Sequence, residues 1–354
     1  MELSTKQREI VETTASKVVV IASAASGKTA VLVERVRYLL NQGVDPQKIV
    51  MITFTNAAAE EMGDRLGRPK GLFIGTIHGY ANYLLLSHGK ETHDILEEEE
   101  FDLLFNRIMS NPECVRPVDH LLLDESQDSN TEHFEFLINL VNPKNYMIMG
   151  DHKQSIYRWN GAHPDYLISL SKQSEVTTYH LDENYRNASS ILTFAKNIIM
   201  VAGYDYRDTS TPMRGISGKV VPDVEYSPHA IARTFSKMEK GFGEWFILTR
   251  TNAQIDEIAS VLKRYKVPYD TFKRAELNNR ELNERMKQDT VKVLTIHTAK
   301  GLEANNVIVV GAKFFNLEER CISYVAATRA RNTLIWTKMP NRTRRQFMTS
   351  NWEQ

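Results

Sequence analysis

An octapeptide with the residue types of a phosphate site, Ala22-Ser23-Ala24-Ala25-Ser26-Gly27-Lys28-Thr29, follows an apolar run and precedes an amphipathic stretch. This order of strand, loop and helix suits phosphate binding, because backbone N–H groups and a helix N-terminus then face the anion. Lys28 would reach the β- and γ-phosphates, and Thr29 would ligate Mg²⁺. Ala22 stands where the general pattern has its first glycine. The segment predicts a nucleotide site, and the alternative is a chance turn.

Two adjacent carboxylates, Asp124 and Glu125, end a second apolar run, 121–123. Asp124 would hold Mg²⁺ directly or through water, and Glu125 would polarise the attacking water. Taken alone, two acids at a strand end are an ordinary strand edge. Together with the phosphate loop (residues 22–29) they predict hydrolysis of a nucleoside triphosphate.

Short β-branched runs alternate with amphipathic segments, which favours an α/β fold with parallel sheets flanked by helices. Amphipathic periodicity predicts one helix over 29–40, and an acidic first turn predicts another over 97–105. A Ser-, Thr-, Gly- and Pro-rich stretch, 207–218, predicts a loop. The predicted strands are 18–21, 49–53, 120–123, 146–149, 245–248, 291–295 and 307–310.

The composition limits the class of protein. A chain of 354 residues, 42% hydrophobic and 25% charged, suggests two or three globular domains. The 44 basic and 44 acidic residues balance, which excludes attachment to nucleic acid by bulk charge but allows a local basic groove. Two cysteines, Cys114 and Cys321, exclude a disulfide framework or a cysteine-built zinc site. Because we find no signal-like or membrane-spanning apolar run, we expect a cytoplasmic protein without a membrane partner.

Seven further segments accompany the phosphate loop and the acidic segment 124–128 in a fixed order: 3–7, 53–62, 75–79, 150–162, 183–186, 295–303 and 324–330. In order and composition, these nine segments resemble the motifs of the UvrD/Rep/PcrA family of superfamily 1A DNA helicases. The resemblance spans nearly the whole chain. It implies two tandem RecA-like domains of the P-loop NTPase type, with ATP and Mg²⁺ as cofactors.

The same resemblance implies a domain plan. We expect an N-terminal RecA-like domain over 1–175 and a C-terminal one over 176–354. Family members usually carry two large inserted domains. Here the first insertion is reduced to about two helices within 87–119, and the second is essentially absent near 276–290.

Roles at the nucleotide follow from the resemblance. Gln7 would recognise adenine and Tyr185 would stack on it, while Glu303 would touch the ribose or γ-phosphate region. Gln154 would sense the γ-phosphate, and Arg186 and Arg329 would be arginine fingers. The implied catalytic residues are therefore Lys28, Glu125, Gln154, Arg186 and Arg329, and the implied nucleotide-binding residues are Gln7, Ala22, Ser23, Ala24, Ala25, Ser26, Gly27, Lys28, Thr29, Tyr185 and Glu303.

Single-stranded DNA would be held by stacking, because every base offers a π-face. Trp159, Tyr157 and Phe54 are the candidates, and the alternative for Trp159 is an anchor in the core. The candidate contacts to backbone or sugar are Asn56, Thr76, His78, His297 and Thr298.

The segment 150–162 departs from the family pattern at three positions. His152 and Lys153 stand where the family commonly has acids, and Asn160 stands where it commonly has arginine. We expect the loss of that arginine to weaken the coupling between γ-phosphate and DNA, unless Arg158 replaces it.

The sequence thus predicts an ATP-dependent translocase on single-stranded DNA and a DNA helicase in a bacterial or phage-infected cell. The 3′→5′ polarity comes from the resemblance alone. We expect a monomer that acts on single-stranded and tailed duplex DNA, with a possible loading or nuclease partner. The alternative is a nucleic-acid-sensing ATPase subunit of a larger nuclease or defence complex.

Overall fold

The computed structural model of the chain contains two compact units. Apolar, β-branched runs form the strands of the first unit. The model describes residues 2–97, 101–159, the backbone of residue 160, and 161–162, 164–200, 208–273, 284–312, 314 and 316–338. The chain divides into one unit over Met1–Glu183 and another over Asn184–Gln354.

The first unit is built on a six-stranded parallel sheet in the order β3-β2-β4-β5-β1-β6. Val19 and Val20 are fully buried on opposite faces, as expected for a strand covered on both sides. The strands are β1 (Lys17–Ala22), β2 (Ile49–Ile52), β3 (Phe73–Gly75), β4 (His120–Leu123), β5 (Asn145–Gly150) and β6 (Thr177–Leu181).

Helices cover both faces of this sheet. One core joins Ile10 and Val31 to the sheet, and the other joins Tyr80 and Phe105 to its opposite face. The helices are α1 (Thr5–Glu12), α2 (Lys28–Asn41), α3 (Asn56–Leu66), α4 (Ile77–Ser87), α5 (His93–Glu97), α6 (Leu103–Met109), α7 (Thr131–Phe134) and α8 (Pro164–Leu170), with a π-helical segment over Glu135–Leu140.

The division between the units lies eight residues beyond the predicted boundary at 175. Strand β6 pairs in parallel with β1, from Val18 opposite Thr177 to Ala22 opposite Leu181. This edge strand therefore belongs to the first sheet. The two compact units meet between Glu183 and Asn184, and the expected domain plan stays a prediction.

In its described residues, the segment 87–119 holds two short helices, α5 and α6, and a 3₁₀ turn at Pro112–Cys114, and its interpretation as a reduced insertion stays a prediction. The predicted helix over 97–105 is wrong in its extent. Residues 101 and 102 form a turn, α6 begins at Leu103, and residues 98–100 lie outside the described part. Leu104 and Ile108 set the position of α6 because both are buried in the core beside α4.

The second unit is built on another six-stranded parallel sheet, in the order β11-β12-β10-β13-β14-β9. Its strands are β9 (Lys219–Glu225), β10 (Trp245–Thr249), β11 (Tyr269–Phe272), β12 (Val291–Thr295), β13 (Ala304–Val309) and β14 (Ala330–Lys338). The flanking helices are α9 (Ser189–Ile199), α10 (Pro228–Phe235), α11 (Asn252–Arg264) and α12 (Leu317–Ala327), and a two-stranded ribbon joins β7 (Glu183–Asn184) to β8 (Thr211–Pro212).

Strands β11 and β12 are direct neighbours, although they flank the place of the expected second insertion. Of this connection, residues 274–283 lie outside the described part. Its end is anchored by the fully buried Lys292, whose Nζ donates to the carbonyl oxygens of Arg285 at 2.8 Å and Gln288 at 2.9 Å. Lys292 Nζ also lies 3.4 Å from Asp270 Oδ2, and Arg285 pairs with the other oxygen of that carboxylate.

Among the helices that the structure describes, none is both long and apolar enough to cross a bilayer.

Candidate nucleotide and nucleic-acid site

The phosphate loop connects β1 to α2, which places it at the carboxyl end of the parallel sheet. Ala25 (φ 56°) and Gly27 (φ 82°) both adopt left-handed backbone conformations. A Cβ atom on Gly27 would also lie 2.8 Å from Gln7 Nε2, so a side chain there would displace the Gln7 amide. Ala25 takes a conformation that suits glycine, and so it has a conformational cost of about 1 kcal/mol.

Gln7 braces this loop from α1. Ser4 caps the helix, and its backbone N–H donates to Gln7 Oε1 at 3.0 Å while Gln7 N–H donates to Ser4 Oγ at 3.3 Å. The Gln7 Nε2 group then donates to the carbonyl oxygen of Ser26 at 2.9 Å. The predicted adenine-recognising residue is therefore in direct contact with the phosphate loop and is 3% exposed.

The structure brings the two predicted chemical segments of this unit together. Strand β4 ends at Leu123 and is followed directly by Asp124 and Glu125. Thr29 Oγ1 donates to Asp124 Oδ2 at 3.1 Å. Lys28 Nζ lies 3.7 Å from Glu125 Oε1. Glu125 has a left-handed backbone, φ 51°, which is uncommon for a non-glycine residue and is concentrated at functional sites.

The two adjacent carboxylates, Asp124 and Glu125, make this part of the site suitable for a cation. Burial, and then the neighbouring Glu125 charge, raise the pKa of Asp124 to about 7, and Lys28 opposes the shift. A carboxylate whose charge is unfavourable in the protein alone is stabilised by a bound cation. The Thr29 hydroxyl beside it is a second hard oxygen ligand, of the type that Mg²⁺ prefers.

A hydroxyl of the loop itself suits the phosphate. Ser26 Oγ is buried and has no hydrogen-bond partner within the described part of the chain. A buried polar group without a partner is rare and calls for an explanation. A phosphate oxygen bound in the loop would supply that partner, so both groups of a magnesium nucleotide fit the residues present.

Strand β5 lies between β4 and β1, so that its carboxyl end lies between the acidic pair and the phosphate loop. Its last residue, Gly150, is followed by the fully buried Asp151. One oxygen of that carboxylate accepts from Gln154 Nε2 at 2.8 Å, and the other accepts from Lys153 Nζ at 2.9 Å. The predicted γ-phosphate sensor, Gln154, is thus held beside the phosphate loop.

An aromatic cluster follows the same strand ends. Trp159 is 64% exposed, which excludes the core-anchor alternative. Tyr157 is only 7% exposed and stacks on Phe54 with ring centroids 5.1 Å apart and planes at 22°. Tyr157 therefore supports the Phe54 ring and meets the Trp159 ring edge-on, with ring centroids 6.3 Å apart. Its expected stacking on a base stays a prediction. The side chain of Asn160 lies outside the described residues.

The predicted polar DNA contacts of this unit lie at the starts of two helices. Asn56 is exposed at the first turn of α3, and Thr76 caps α4 by accepting from the Gly79 N–H at 3.1 Å. His78, in the first turn of α4, keeps a third of its side chain exposed, and its Nε2 lies 3.5 Å from Asp102 Oδ1.

His78 and Asp102 form a cluster with the buried His133 in which three potential ligand atoms lie within 4.8 Å of one another. His133 Nδ1 accepts from the Asn130 N–H at 3.3 Å, so the ring proton is on Nε2. A ring nitrogen that carries a proton cannot bind a metal. Burial, with the His78 charge as a smaller cause, lowers the pKa of His133 to about 4, so we interpret His133 as a neutral side chain packed against His78.

In the second unit, Glu303 lies between two arginines. Its carboxylate oxygens accept from Arg186 Nε and from Arg331 Nη1. Burial opposes ionisation, but the two guanidinium groups prevail and lower the pKa of Glu303. Arg331 is a site residue that the sequence reasoning missed, although it lies two positions after a predicted arginine finger.

The two predicted arginine fingers have different surroundings. The Arg186 side chain is 15% exposed and pairs with Glu303. Arg329 is 2% exposed and donates to the carbonyl oxygens of Val325 at 3.0 Å and Leu302 at 3.3 Å. Within its own unit, Arg329 therefore fixes the main chain next to Glu303, and its role at a phosphate stays a prediction.

The remaining predicted residues of the second unit are more open. Tyr185 is 41% exposed. His297 and Thr298 are half-buried in the connection after β12, where the Thr298 hydroxyl lies 2.9 Å from that of Thr295.

Comparison with known proteins agrees with this geometry. A family model described as the UvrD/REP helicase N-terminal domain matches residues 3–112 and 101–175. A second, described as the UvrD-like helicase C-terminal domain, matches residues 269–341. The chain belongs to the UvrD/Rep helicase family. The predicted family and the predicted α/β fold with parallel sheets are both confirmed.

The similar proteins differ in length. The chain is 25% identical to a "Probable DNA helicase" of Mycoplasma pneumoniae, over 89% of this chain and 79% of that protein. It is 25% identical to DNA helicase II of Escherichia coli, over 76% of this chain and 51% of that protein. It is 24% identical to the ATP-dependent DNA helicase Rep of the same organism, over 76% of this chain and 55% of that protein. The chain thus spans about half the length of these two longer relatives.

Proposed function

We propose that this chain is an ATP-dependent DNA helicase that moves along single-stranded DNA at the expense of ATP. The observation that supports it most is the meeting of Lys28 and Thr29 with Asp124 and Glu125 at one edge of the sheet. The exposed Trp159 follows the neighbouring strand at the same edge. A nucleotide site and a base-stacking surface are therefore carried by loops of one sheet.

The proposed chemistry is hydrolysis of the γ-phosphate. Lys28 stabilises negative charge on the β- and γ-phosphates, and Glu125 accepts a proton from the attacking water. Mg²⁺, held by Thr29 and Asp124, would neutralise phosphate charge when bound. Arg186 and Arg329 are proposed to add guanidinium charge at the transferred phosphoryl group, and Gln154 to detect it.

The proposed DNA contact is stacking on Trp159, supported by Phe54 and polar contacts from α3 and α4. Because stacking does not depend on base identity, the binding is expected to be independent of sequence. We also propose 3′→5′ polarity and a cytoplasmic location, both by analogy with the family.

The test compares ATP turnover with and without single-stranded DNA, and then unwinding of 3′-tailed and 5′-tailed duplexes. We expect DNA to raise turnover and only the 3′-tailed duplex to open. Glu125→Gln is the control, because it should keep nucleotide binding and lose hydrolysis. Hydrolysis by Glu125→Gln at the parent rate would refute the proposed chemistry, and unwinding from a 5′ tail alone would refute the polarity.

A further inference from the structure

The side chain of Gln127 is fully buried between the acidic pair and Asp151. It lies in the 3₁₀ turn Ser126–Asp128 that follows the acidic pair. Its Nε2 donates to Glu125 Oε2, and its Oε1 accepts from the Asp151 backbone N–H at 2.9 Å. The side chain therefore bridges the carboxyl ends of β4 and β5.

This bridge fixes the orientation of Glu125. One oxygen of the Glu125 carboxylate lies 3.7 Å from Lys28 Nζ, and the other accepts the Gln127 amide. A glutamate side chain without partners samples several rotamers, and ordering it costs up to about 2 kcal/mol. With both oxygens engaged, the carboxylate is already held in one orientation when water arrives.

The same bridge reaches the predicted phosphate sensor. The Asp151 backbone N–H binds Gln127, and the Asp151 carboxylate binds Gln154 Nε2 at 2.8 Å. A continuous chain of hydrogen bonds thus runs from Glu125 through Gln127 and Asp151 to Gln154. Displacement of Gln154 would be transmitted to Glu125 through three successive hydrogen bonds.

The packing around the Gln127 bridge leaves no room for a side chain at Gly150. A Cβ atom on Gly150 would lie 2.5 Å from Ser126 Oγ, 2.8 Å from Gln127 Oε1 and 2.9 Å from Leu167 Cδ2. Such distances are too short for unbonded atoms, so only glycine fits at this strand end.

The bridge also needs an amide of this length. Glutamine offers a donor to one partner and an acceptor to the other, whereas an ionised glutamate offers acceptors only and leucine offers neither. We propose that Gln127 is a positioning residue for ATP hydrolysis, which orients Glu125 and couples it to the loop of Gln154. This inference rests on the proposed role of Glu125.

The test begins with Gln127→Leu and Gln127→Glu. A carboxylate displaced by about 1 Å can lower the rate about 100-fold, so we expect a loss in kcat of that order with ATP binding within about twofold of the parent. Gln127→Glu keeps the size of the side chain and leaves no cavity. If Gln127→Leu does not fold, the kcat of Gln127→Glu alone tests whether the amide positions Glu125. The matched control is Ser155→Ala, which removes a 3.1 Å bond to the Gln127 carbonyl oxygen but leaves the amide bridge intact. We expect that control to keep the parent kcat.

A double-mutant cycle separates positioning from structural support. In a Glu125→Gln background, measured by single-turnover hydrolysis, adding Gln127→Leu or Gln127→Glu should cost nothing further, because residues that act as a unit are non-additive. A fully additive loss would overturn the inference, as would a parent-like kcat in both single variants. If Glu125→Gln itself hydrolyses ATP normally, the proposed role of Glu125 fails. That result comes from the Glu125→Gln variant alone, so it is distinguishable from a failure of the Gln127 inference.

A second measurement needs no nucleotide. Hydrogen exchange of the peptide 148–156 should show a loss of protection at the Asp151 amide in Gln127→Leu but not in Ser155→Ala. Unchanged protection at that amide in Gln127→Leu would contradict the bridge.

Discussion

The pH dependence of stability can be predicted from His133. Its pKa is lowered from 6.5 to about 4, mainly by burial, so the folded protein holds the ring neutral. Between these two values the unfolded chain binds a proton that the folded chain does not. Stability due to this group is therefore fully present above pH 6.5 and is lost as the pH falls towards 4. A difference of about 2.5 pKa units corresponds to about 3 kcal/mol in the free energy of unfolding.

The matched variant is His133→Gln. His133 is the third residue of a capping box with Asn130, and glutamine can make the same reciprocal contact without titrating. The charged or titratable neighbours in the cluster, His78 and Asp102, are unchanged in the variant. Loss of the ring contacts with Phe105 lowers the stability of the variant by an amount that does not depend on pH.

The assay is urea unfolding of the full chain, without nucleotide, at pH values from 4 to 8. We expect the stability advantage of the parent over His133→Gln to shrink by about 3 kcal/mol between pH 6.5 and 4, because only the parent carries the buried imidazole. Parallel stability curves for the two proteins would refute this reasoning. They would mean that His133 is protonated in the folded state, with its charge accommodated by Asp102.

Three further predictions concern other parts of the molecule. Trp159→Ala should weaken single-stranded DNA binding by about 1–3 kcal/mol in a fluorescence titration and leave the melting temperature unchanged, and an unfolded variant would contradict its exposed position. Arg186→Ala should lower ATP turnover about 1,000-fold while the fold is kept. Arg329→Ala should also lower the melting temperature, because it removes a buried side chain and its hydrogen bonds to the carbonyl oxygens of Val325 and Leu302, and equal melting temperatures would contradict this distinction. Asp270→Ala should destabilise the second unit by about 3–5 kcal/mol in denaturant unfolding, because it leaves the Lys292 charge buried without its counter-ion, and a loss below 1 kcal/mol would contradict that pairing.

Much of the nucleotide site could be predicted from the sequence, because its parts are local. The phosphate loop and the acidic pair each follow an apolar run, and parallel strands bring their carboxyl ends to one edge. This logic placed Lys28 and Thr29 beside Asp124 without a structure. The family motifs added Gln154, which lies in the 3₁₀ turn after the strand between them.

Other features depend on contacts between distant segments, which no local pattern shows. The boundary after Glu183 follows from the pairing of β6 with β1, and no local pattern shows which sheet that strand joins. Tyr157 and Trp159 are two residues apart in the same motif, yet Tyr157 is buried and stacks on Phe54 while Trp159 is exposed. The bridge through Gln127 could not be predicted from the sequence, because its two partners, Glu125 and Asp151, follow different strands.

The anchoring of the connection between β11 and β12 bears on how such proteins change in size. The connection leaves and re-enters the sheet on neighbouring strands, and Lys292 secures its returning end from within the fold. Additional sequence placed between those strands would not have to alter the sheet beneath it. This position is therefore a natural point for grafting an independently folding module, whether by gene fusion during evolution or by an engineer who wishes to couple an external signal to the second unit.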